Sequence, residues 1–284
     1  MRMSPACGLL PLALFAVAPL SGQSMREFSY ERGLQEETTL RAVIEFAAGT
    51  LELRSAPRGR LYGFQLDYDA ERFEPIGSYD PRGAEVRLGV NSMRRGGVRV
   101  SRRDALPQSA LVELNPDVPL SLDASFGAAD SRLELGGLTL TDLSLRTGAS
   151  RTEVWFSTRA RGDCRSGFVA SGAGEVEIRR LGNSGCRHWR FDGGVGAVTL
   201  DLSGDWERDA RLVMQMALGG TTLIMPRGSK LGVKISLSGF LAGFEGTGFR
   251  KRDGTWYSPG YEEASRKVDV AVTGALGGVK VEWR

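Results

Sequence analysis

The stretch RFDGGVGAVTL at residues 190–200 places a glycine-rich kink between two runs in which apolar and polar residues alternate. Alternation of this kind is typical of a β-strand with one buried face. The same pattern occurs five times between residues 124 and 226, at intervals of roughly 20 to 25 residues. Its kinks are marked by Gly127, Gly148, Gly172, Gly194 and Gly219. A repeat of this length predicts an all-β fold, a single-stranded β-solenoid whose successive coils stack.

The composition is that of a folded, globular chain. Hydrophobic residues make up 41% of the 284 residues and charged residues 25%. The 38 glycines exceed the usual share of about 7%, which fits many tight turns. The formal net charge of +3 at pH 7 indicates no particular polyanionic partner, and we expect no nucleic-acid binding.

Residues 1–22 are predicted to be a secretory signal peptide. Arg2 supplies a basic start, Leu9 to Leu20 an apolar run, and Ser21-Gly22 a processing region. The apolar run is shorter than the roughly 20 residues of a membrane span, and no later stretch resembles one. We therefore expect an exported protein, in the periplasm or at the cell surface, with no transmembrane span in the mature chain.

Two cysteines remain if Cys7 leaves with the signal. Cys164 and Cys186 stand 22 positions apart, which is one repeat. Stacked coils would place them near the strand spacing of roughly 4.8 Å, close to the separation that a disulfide requires. We predict a structural disulfide between them, with two free buried thiols as the alternative. A zinc site is not expected, because the chain has a single histidine.

The rest of the chain divides around the repeat. We predict a polar leader at 23–39, an N-terminal β region at 40–118 that forms a small sheet, and a β-solenoid with a C-terminal cap at 119–284. Within the second part, turn-like residues 94–97 predict a hairpin between the runs 86–88 and 98–100. Residues 239–260 depart from the repeat and carry Phe240, Phe244, Phe249, Trp256 and Tyr257. Such an aromatic segment suits a cap over the exposed end of a solenoid.

Four stretches of the sequence resemble the bacterial "putative-adhesin" β-solenoid families, in particular the toast-rack family: Phe46 to Leu53, Leu61 to Tyr68, Pro119 to Ala129 and Thr147 to Ala149. The resemblance implies a single-stranded β-solenoid. It also implies kinship with C-terminal domains of LiaF-like proteins, which act in the cell-envelope response to antibiotics. The family has no catalytic residues to carry over to this chain.

The residue patterns themselves point to no enzyme, cofactor or metal site. His188 is the one histidine that a hydrolytic triad could use, and it stands in a charged turn. The acidic pairs Glu262-Glu263 and Asp201 with Asp205 are best explained as solvated surface charge. Calcium-binding rolls repeat aspartate at their kinks, whereas Asp130 is isolated here.

Two surface features are candidate contacts. The densest basic cluster could bind phosphates of a lipid headgroup or of lipopolysaccharide, or form a solvated hairpin rim; it comprises Arg94, Arg95, Arg99, Arg102 and Arg103. The aromatic residues of the cap could stack on a sugar or peptide, although large aromatics in an end segment usually bury themselves.

The sequence leaves three functional hypotheses. The first is an exported non-enzymatic protein, adhesin-like or scaffolding in the cell envelope, with an envelope protein or a glycan as its partner. The second is an accessory protein of an envelope-stress response that binds a membrane regulator. The third is a polysaccharide-acting β-helix enzyme, which would need a cleft with clustered carboxylates that the scattered charges do not suggest.

Overall fold

The computed structural model describes residues 24–93, 108–228, 230–240 and 243–284, and these are almost entirely β-structure. Their one helical element is a 3-10 turn at Leu181–Ser184. No helix in these ranges is long and apolar enough to cross a membrane. The strands are Met25–Gly33 (β1), Leu40–Ser55 (β2), Arg60–Asp69 (β3), Phe73–Asp80 (β4), Glu85–Ser92 (β5), Ser109–Leu114 (β6), Leu120–Glu134 (β7), Leu140–Trp155 (β8), Ser166–Arg179 (β9), His188–Asp201 (β10), Ala210–Met225 (β11), Leu231–Gly239 (β12), Gly243–Gly246 (β13), Arg250–Arg252 (β14), Thr255–Tyr257 (β15) and Arg266–Trp283 (β16).

Seven long strands form a parallel stack, in the order β2, β7, β8, β9, β10, β11 and β16. Phe191 of β10, for example, pairs with Val169 of β9 on one side and with Met214 of β11 on the other. We call each of these strands a rung. Every rung is one continuous strand that passes through a corner containing glycine, where its pairing with the neighbouring rungs is briefly interrupted. The stack therefore has two faces that meet at the corner. The predicted all-β, solenoid-like fold is confirmed.

The corner contains two columns of small residues, and this corrects one detail of the repeat. Val195 pairs with Leu218, so Gly194 stands level with Ala217 and not with Gly219. Gly219 pairs with Gly196, in a second column whose glycines have positive φ angles: Gly174 (159°), Gly196 (149°), Gly219 (147°) and Gly277 (146°). At each of these four a β-carbon would collide with the carbonyl oxygen of the preceding rung. The close approach of the backbones therefore requires glycine there.

The core lies between the rungs' inward faces, where register-paired side chains form continuous columns. Fully burying one such aliphatic side chain contributes about 1.5–3 kcal/mol, so each added rung extends the core. One column, buried along its whole length, consists of Ile44, Ala124, Leu145, Val169, Phe191, Met214 and Val272.

The first rung, β2, is covered by two antiparallel flaps. Its first half pairs with β5, which continues to β4, and its second half pairs with β6, which continues to β3 and β1. Both edges of β5 are thus occupied by β2 and β4, so the predicted hairpin partner for residues 86–88 is wrong; residues 94–107 lie outside the described ranges.

The segment predicted as a polar leader, 23–39, contains the strand β1. Phe28 and Tyr30 of this strand pack on the rings of Phe64 and Tyr62. After β1, the partly buried carboxylate of Glu37 accepts hydrogen bonds from Arg32 (3.0 Å) and from the Tyr79 hydroxyl (3.2 Å). These contacts attach the segment to both flaps.

The other end of the stack is not built in sequence order. β16, at the C-terminus, lies between β11 and β12, so the chain leaves room for one rung and returns to fill it. The strand β12 and the short hairpin β14–β15 then form the outer edge. The aromatic residues of the predicted cap belong to this edge.

Candidate functional site

The predicted disulfide is present and buried. Cys164, in the loop after β8, is bonded to Cys186, in the loop after β9, with 4.4 Å between their α-carbons. Both cysteines are almost inaccessible to solvent. The bridge ties two successive coils together and serves as a structural bond within the core.

Charges beside this disulfide neutralise each other. Asp163 contacts Arg208 at 2.5 Å and Arg187 at 3.1 Å. The hydrogen bonds from Arg208 and then Arg187 lower the pKa of the Asp163 carboxyl. Arg159 forms an ion pair with Glu207. These three arginines beside the disulfide therefore already have partners within the protein.

The other candidate residues named from the sequence do not come together in one site. The arginine cluster, Arg94, Arg95, Arg99, Arg102 and Arg103, lies outside the described residues, so its anion-contact role stays a prediction. His188 is an exposed residue at the start of β10, and Glu262 is paired with Arg252 at 2.7 Å. Within the described ranges, no group of three or more His, Cys, Asp or Glu side chains could hold a metal ion.

Most aromatic residues of the cap pack on one another. Phe244 stacks on Trp256 with 4.4 Å between ring centroids, and Phe249 lies edge-on to Phe244. Phe249 also contacts Trp283, the last residue of β16. Phe240 differs, because 88% of it is exposed. The cap is mainly a small aromatic core.

A half-exposed tryptophan lies on the face of the stack formed by the parts of the rungs that follow the corner. Trp155, at the end of β8, is 48% exposed, while its neighbours Val154 and Phe156 are fully buried. Strand alternation turns one residue of this apolar run outward, and the register places Trp155 level with Glu134 of β7 and Arg179 of β9. We refer to Trp155 and the outward residues around it as the Trp155 face.

The two residues beside Trp155 are held in place. One carboxylate oxygen of Glu134 accepts hydrogen bonds from the backbone N–H groups of Gly136 (2.7 Å) and Ser157 (3.1 Å). Arg179 donates two hydrogen bonds to Glu177, at 2.7 and 3.2 Å. This pairing raises the pKa of Arg179 and lowers that of the Glu177 carboxyl. A fixed acceptor and a fixed donor therefore flank the indole ring.

A shallow depression of about 380 Å³ lies over this face, within the size range of small-molecule sites. Its charged lining consists of three arginines and three glutamates: Arg54, Arg132, Arg179, Glu52, Glu134 and Glu153. Charges of both signs are thus balanced around the indole.

The sequence prediction assigns Trp155 only to an apolar strand and does not state that its side chain is exposed. The signal was present, because Val154-Trp155-Phe156 places three apolar residues in succession where alternation allows two to face inward. What the sequence could not give was the identity of the residues on the adjacent rungs.

A second exposed apolar feature runs along the corner. Val195, Leu218 and Leu276 are register-paired on three successive rungs, and each is about half exposed. On earlier rungs the same position is occupied by Ala128, Ala149 and Ala173. The corner thus becomes more apolar toward the C-terminal end.

Solved structures with a similar course of the chain come from three bacteria. A "putative cell adhesion protein" from Clostridium sporogenes is 15% identical, with a TM-score of 0.49 over 92% of this chain and 100% of that chain. A "putative adhesin" from Bacteroides fragilis is 12% identical, with a TM-score of 0.41 over 90% and 97% of the two chains. A "putative lipid binding protein" from Parabacteroides distasonis is 7% identical, with a TM-score of 0.29 over 92% and 98%. Likeness at these levels carries no inference about function.

No curated protein matches this chain. Its residues 21–179, more than half of its length, match the family described as the N-terminal domain of toast_rack, DUF2154. The match includes the first rung, both flaps and the rungs up to β9. The resemblance found in the sequence is confirmed, and the chain belongs to the toast-rack family.

Proposed function

We propose that this protein is an exported, non-enzymatic β-solenoid that serves adhesion or scaffolding in the bacterial cell envelope. The observation that carries the proposal is the buried Cys164–Cys186 disulfide. Structural disulfides form and persist in oxidising compartments and are rare in the cytosol. The signal-like segment at residues 1–22 supports the same location.

The shape of the stack supports a role in contact. Parallel rungs present their outward side chains at a fixed spacing of roughly 4.8 Å, so the faces are regular and rigid. A rigid surface loses little conformational entropy when it binds a partner. The Trp155 face offers such a surface with an aromatic centre, which is the residue type most enriched at binding hot spots.

Export can be tested in bacteria that produce the full chain and a variant lacking residues 2–22. We expect the full chain to be processed near residue 22, to leave the cytoplasm, and to carry no thiol that an alkylating reagent can label after denaturation. The truncated variant should stay in the cytoplasm with labelled Cys164 and Cys186. A full chain retained in the cytoplasm with both thiols labelled would contradict the proposal.

Adhesion and scaffolding can be separated from the accessory role by crosslinking in intact cells. A photoreactive amino acid at Trp155, with a control at Leu218, would capture what contacts each surface. Glycan or structural envelope components support the proposal. Capture of a membrane-embedded regulator would instead favour the envelope-stress hypothesis.

A further inference from the structure

We propose that the Trp155 face is a binding site for a neutral glycan. The inference rests on the proposed function and deepens it by naming a ligand class. A sugar ring has an apolar C–H face and a rim of hydroxyl groups. It therefore fits a surface that combines an exposed aromatic plane with hydrogen-bonding groups at its edges. Trp155 supplies the plane, and the indole N–H supplies one donor.

The groups beside the indole are suited to sugar hydroxyls. A hydroxyl both donates and accepts, so it can bridge a carboxylate and a guanidinium. Glu134 and Arg179 stand one rung to either side of Trp155, and each is anchored by bonds of its own. Groups that are already oriented lose less entropy on binding than free side chains. Hydrogen bonds to charged groups are also the stronger kind.

Arg54 of the lining is bonded to Glu113, whereas two other charged groups of the site have no such partner among the described residues. Within the part of the chain that the structure describes, Arg132 and Glu52 form no ion pair, although the register places them on neighbouring strands. The indole N–H of Trp155 likewise has no hydrogen-bond partner there. In contrast to the cations beside the disulfide, these groups remain available to a ligand.

The charge balance selects among ligands. Three arginines and three glutamates line the depression, so their net charge is zero. A polyanion such as an acidic polysaccharide, or a basic peptide, would meet as much repulsion as attraction. A neutral ligand that offers many hydroxyl groups has no such penalty.

The strand that carries Trp155 is hydrogen-bonded through its backbone to a neighbouring strand on each side. β8 pairs with β7 on one edge and with β9 on the other. An extended peptide therefore cannot add as a strand here, and recognition must occur through side chains. This favours a glycan over a peptide segment.

The test uses the purified mature protein and a set of immobilised probes. These are neutral oligosaccharides of glucose, galactose, mannose and N-acetylglucosamine, with alginate as an acidic glycan and polylysine as a basic polymer. We expect binding to at least one neutral oligosaccharide. Trp155→Ala should weaken that binding by about tenfold or more, and Trp155→Phe should retain most of it because an aromatic face remains.

Two further variants separate recognition from folding. Arg132→Ala removes an unpaired surface group, so it should weaken binding several-fold without lowering the thermal midpoint. Leu218→Ala truncates a similarly exposed apolar residue on the corner, and it should bind as the wild type does. Circular dichroism and thermal unfolding check that each variant is folded.

The inference is overturned if no neutral oligosaccharide binds, or if binding is unchanged in Trp155→Ala. It is also overturned if only alginate or polylysine binds in a Trp155-dependent manner. None of these outcomes alters the export and crosslinking results, so the inference can fail while the proposed function stands.

Discussion

Trp189 and Gly167 occupy paired positions on adjacent rungs, and the ring of Trp189 fills the space that a β-carbon on Gly167 would take. Trp189 is almost completely buried, as is the stacked ring of Phe191 on the same strand. The inward column that contains Trp189 thus holds its largest side chain next to its smallest. This pairing keeps the spacing of the rungs constant.

The substitution Gly167→Ala should lower the free energy of unfolding by about 1–3 kcal/mol, because the added methyl group overpacks the core. Urea unfolding of the purified protein measures the change. Gly220→Ala is the matched control, since Gly220 is exposed and has open space around its α-carbon. Equal effects of the two substitutions would show that the Trp189–Gly167 contact does not limit the packing.

The corner column yields a separate prediction. Gly196 has a φ of 149°, and a β-carbon there would collide with the carbonyl oxygen of Gly174. Gly196→Ala should therefore cost about 2 kcal/mol or more through backbone strain and loss of ladder bonds. Ser150→Ala changes a non-glycine member of the same column and should cost much less. Similar unfolding free energies for the two variants would count against the close approach.

These two glycines show what the sequence could predict. The kink-and-strand pattern gave the all-β fold and the stacking, because alternation and period are local properties of the chain. The pattern placed Gly219 level with Gly194, whereas the structure places it level with Gly196. The coils differ in loop length, so a sequence period alone does not set the register. Register is decided by which side chains meet across the rungs, and that is non-local information.

Two other features were out of reach for related reasons. The residue pattern of β16 would be the same if this strand lay between β11 and β12 or beyond β12, so its position between them could not be predicted from that pattern. β1 was missed because most of its residues are exposed, which leaves only Phe28 and Tyr30 as an alternating signal. Predicting the Trp155 face would have required knowing both that Trp155 points outward and which residues lie beside it on the adjacent rungs.

The position of β16 predicts which strands are destabilised by a substitution within it. Val270 is fully buried between Leu212 of β11 and Ile235 of β12. Val270→Ala should lower stability by about 2 kcal/mol, from two lost carbon groups. It should also speed amide hydrogen exchange in both β11 and β12, because both pair with the damaged rung.

Hydrogen-exchange mass spectrometry on the intact chain provides the measurement. Val112→Ala, an equally buried change in β6 at the other end, should leave the amides of β11 and β12 unaffected. If Val270→Ala accelerated exchange in only one of the two strands, β16 would not lie between them.

The disulfide should contribute measurably to stability. The bond between Cys164 and Cys186 closes a loop of 22 residues, for which the chain-entropy model gives about 3 kcal/mol. The double variant Cys164→Ser/Cys186→Ser should lose about that amount in urea unfolding. Reductant should bring the wild type close to the variant and leave the variant unchanged. If reductant destabilised both proteins equally, the effect would come from elsewhere.

The Glu37 network predicts a dependence of stability on pH. Burial raises the pKa of the Glu37 carboxyl, but the backbone N–H of Gln35 and the guanidinium of Arg32 outweigh it, and the pKa falls below the ordinary 4.5. A carboxyl whose pKa is lower in the folded state stabilises the fold when ionised. Its contribution is fully present above the ordinary pKa and is lost as pH falls through the folded value.

Urea unfolding between about pH 7 and about pH 3 tests this linkage. Glu37→Gln should be less stable than the wild type at neutral pH, and the difference should shrink as the solution becomes acidic, because the wild-type carboxyl is then protonated. Glu36→Gln, at an exposed neighbour, should follow the wild type at every pH. Carboxyls such as Asp163 and Glu177, whose pKa values are also lowered, remain in both variants. A constant gap between the wild type and Glu37→Gln would therefore mean that the carboxylate of Glu37 has the same pKa in the folded and unfolded chains.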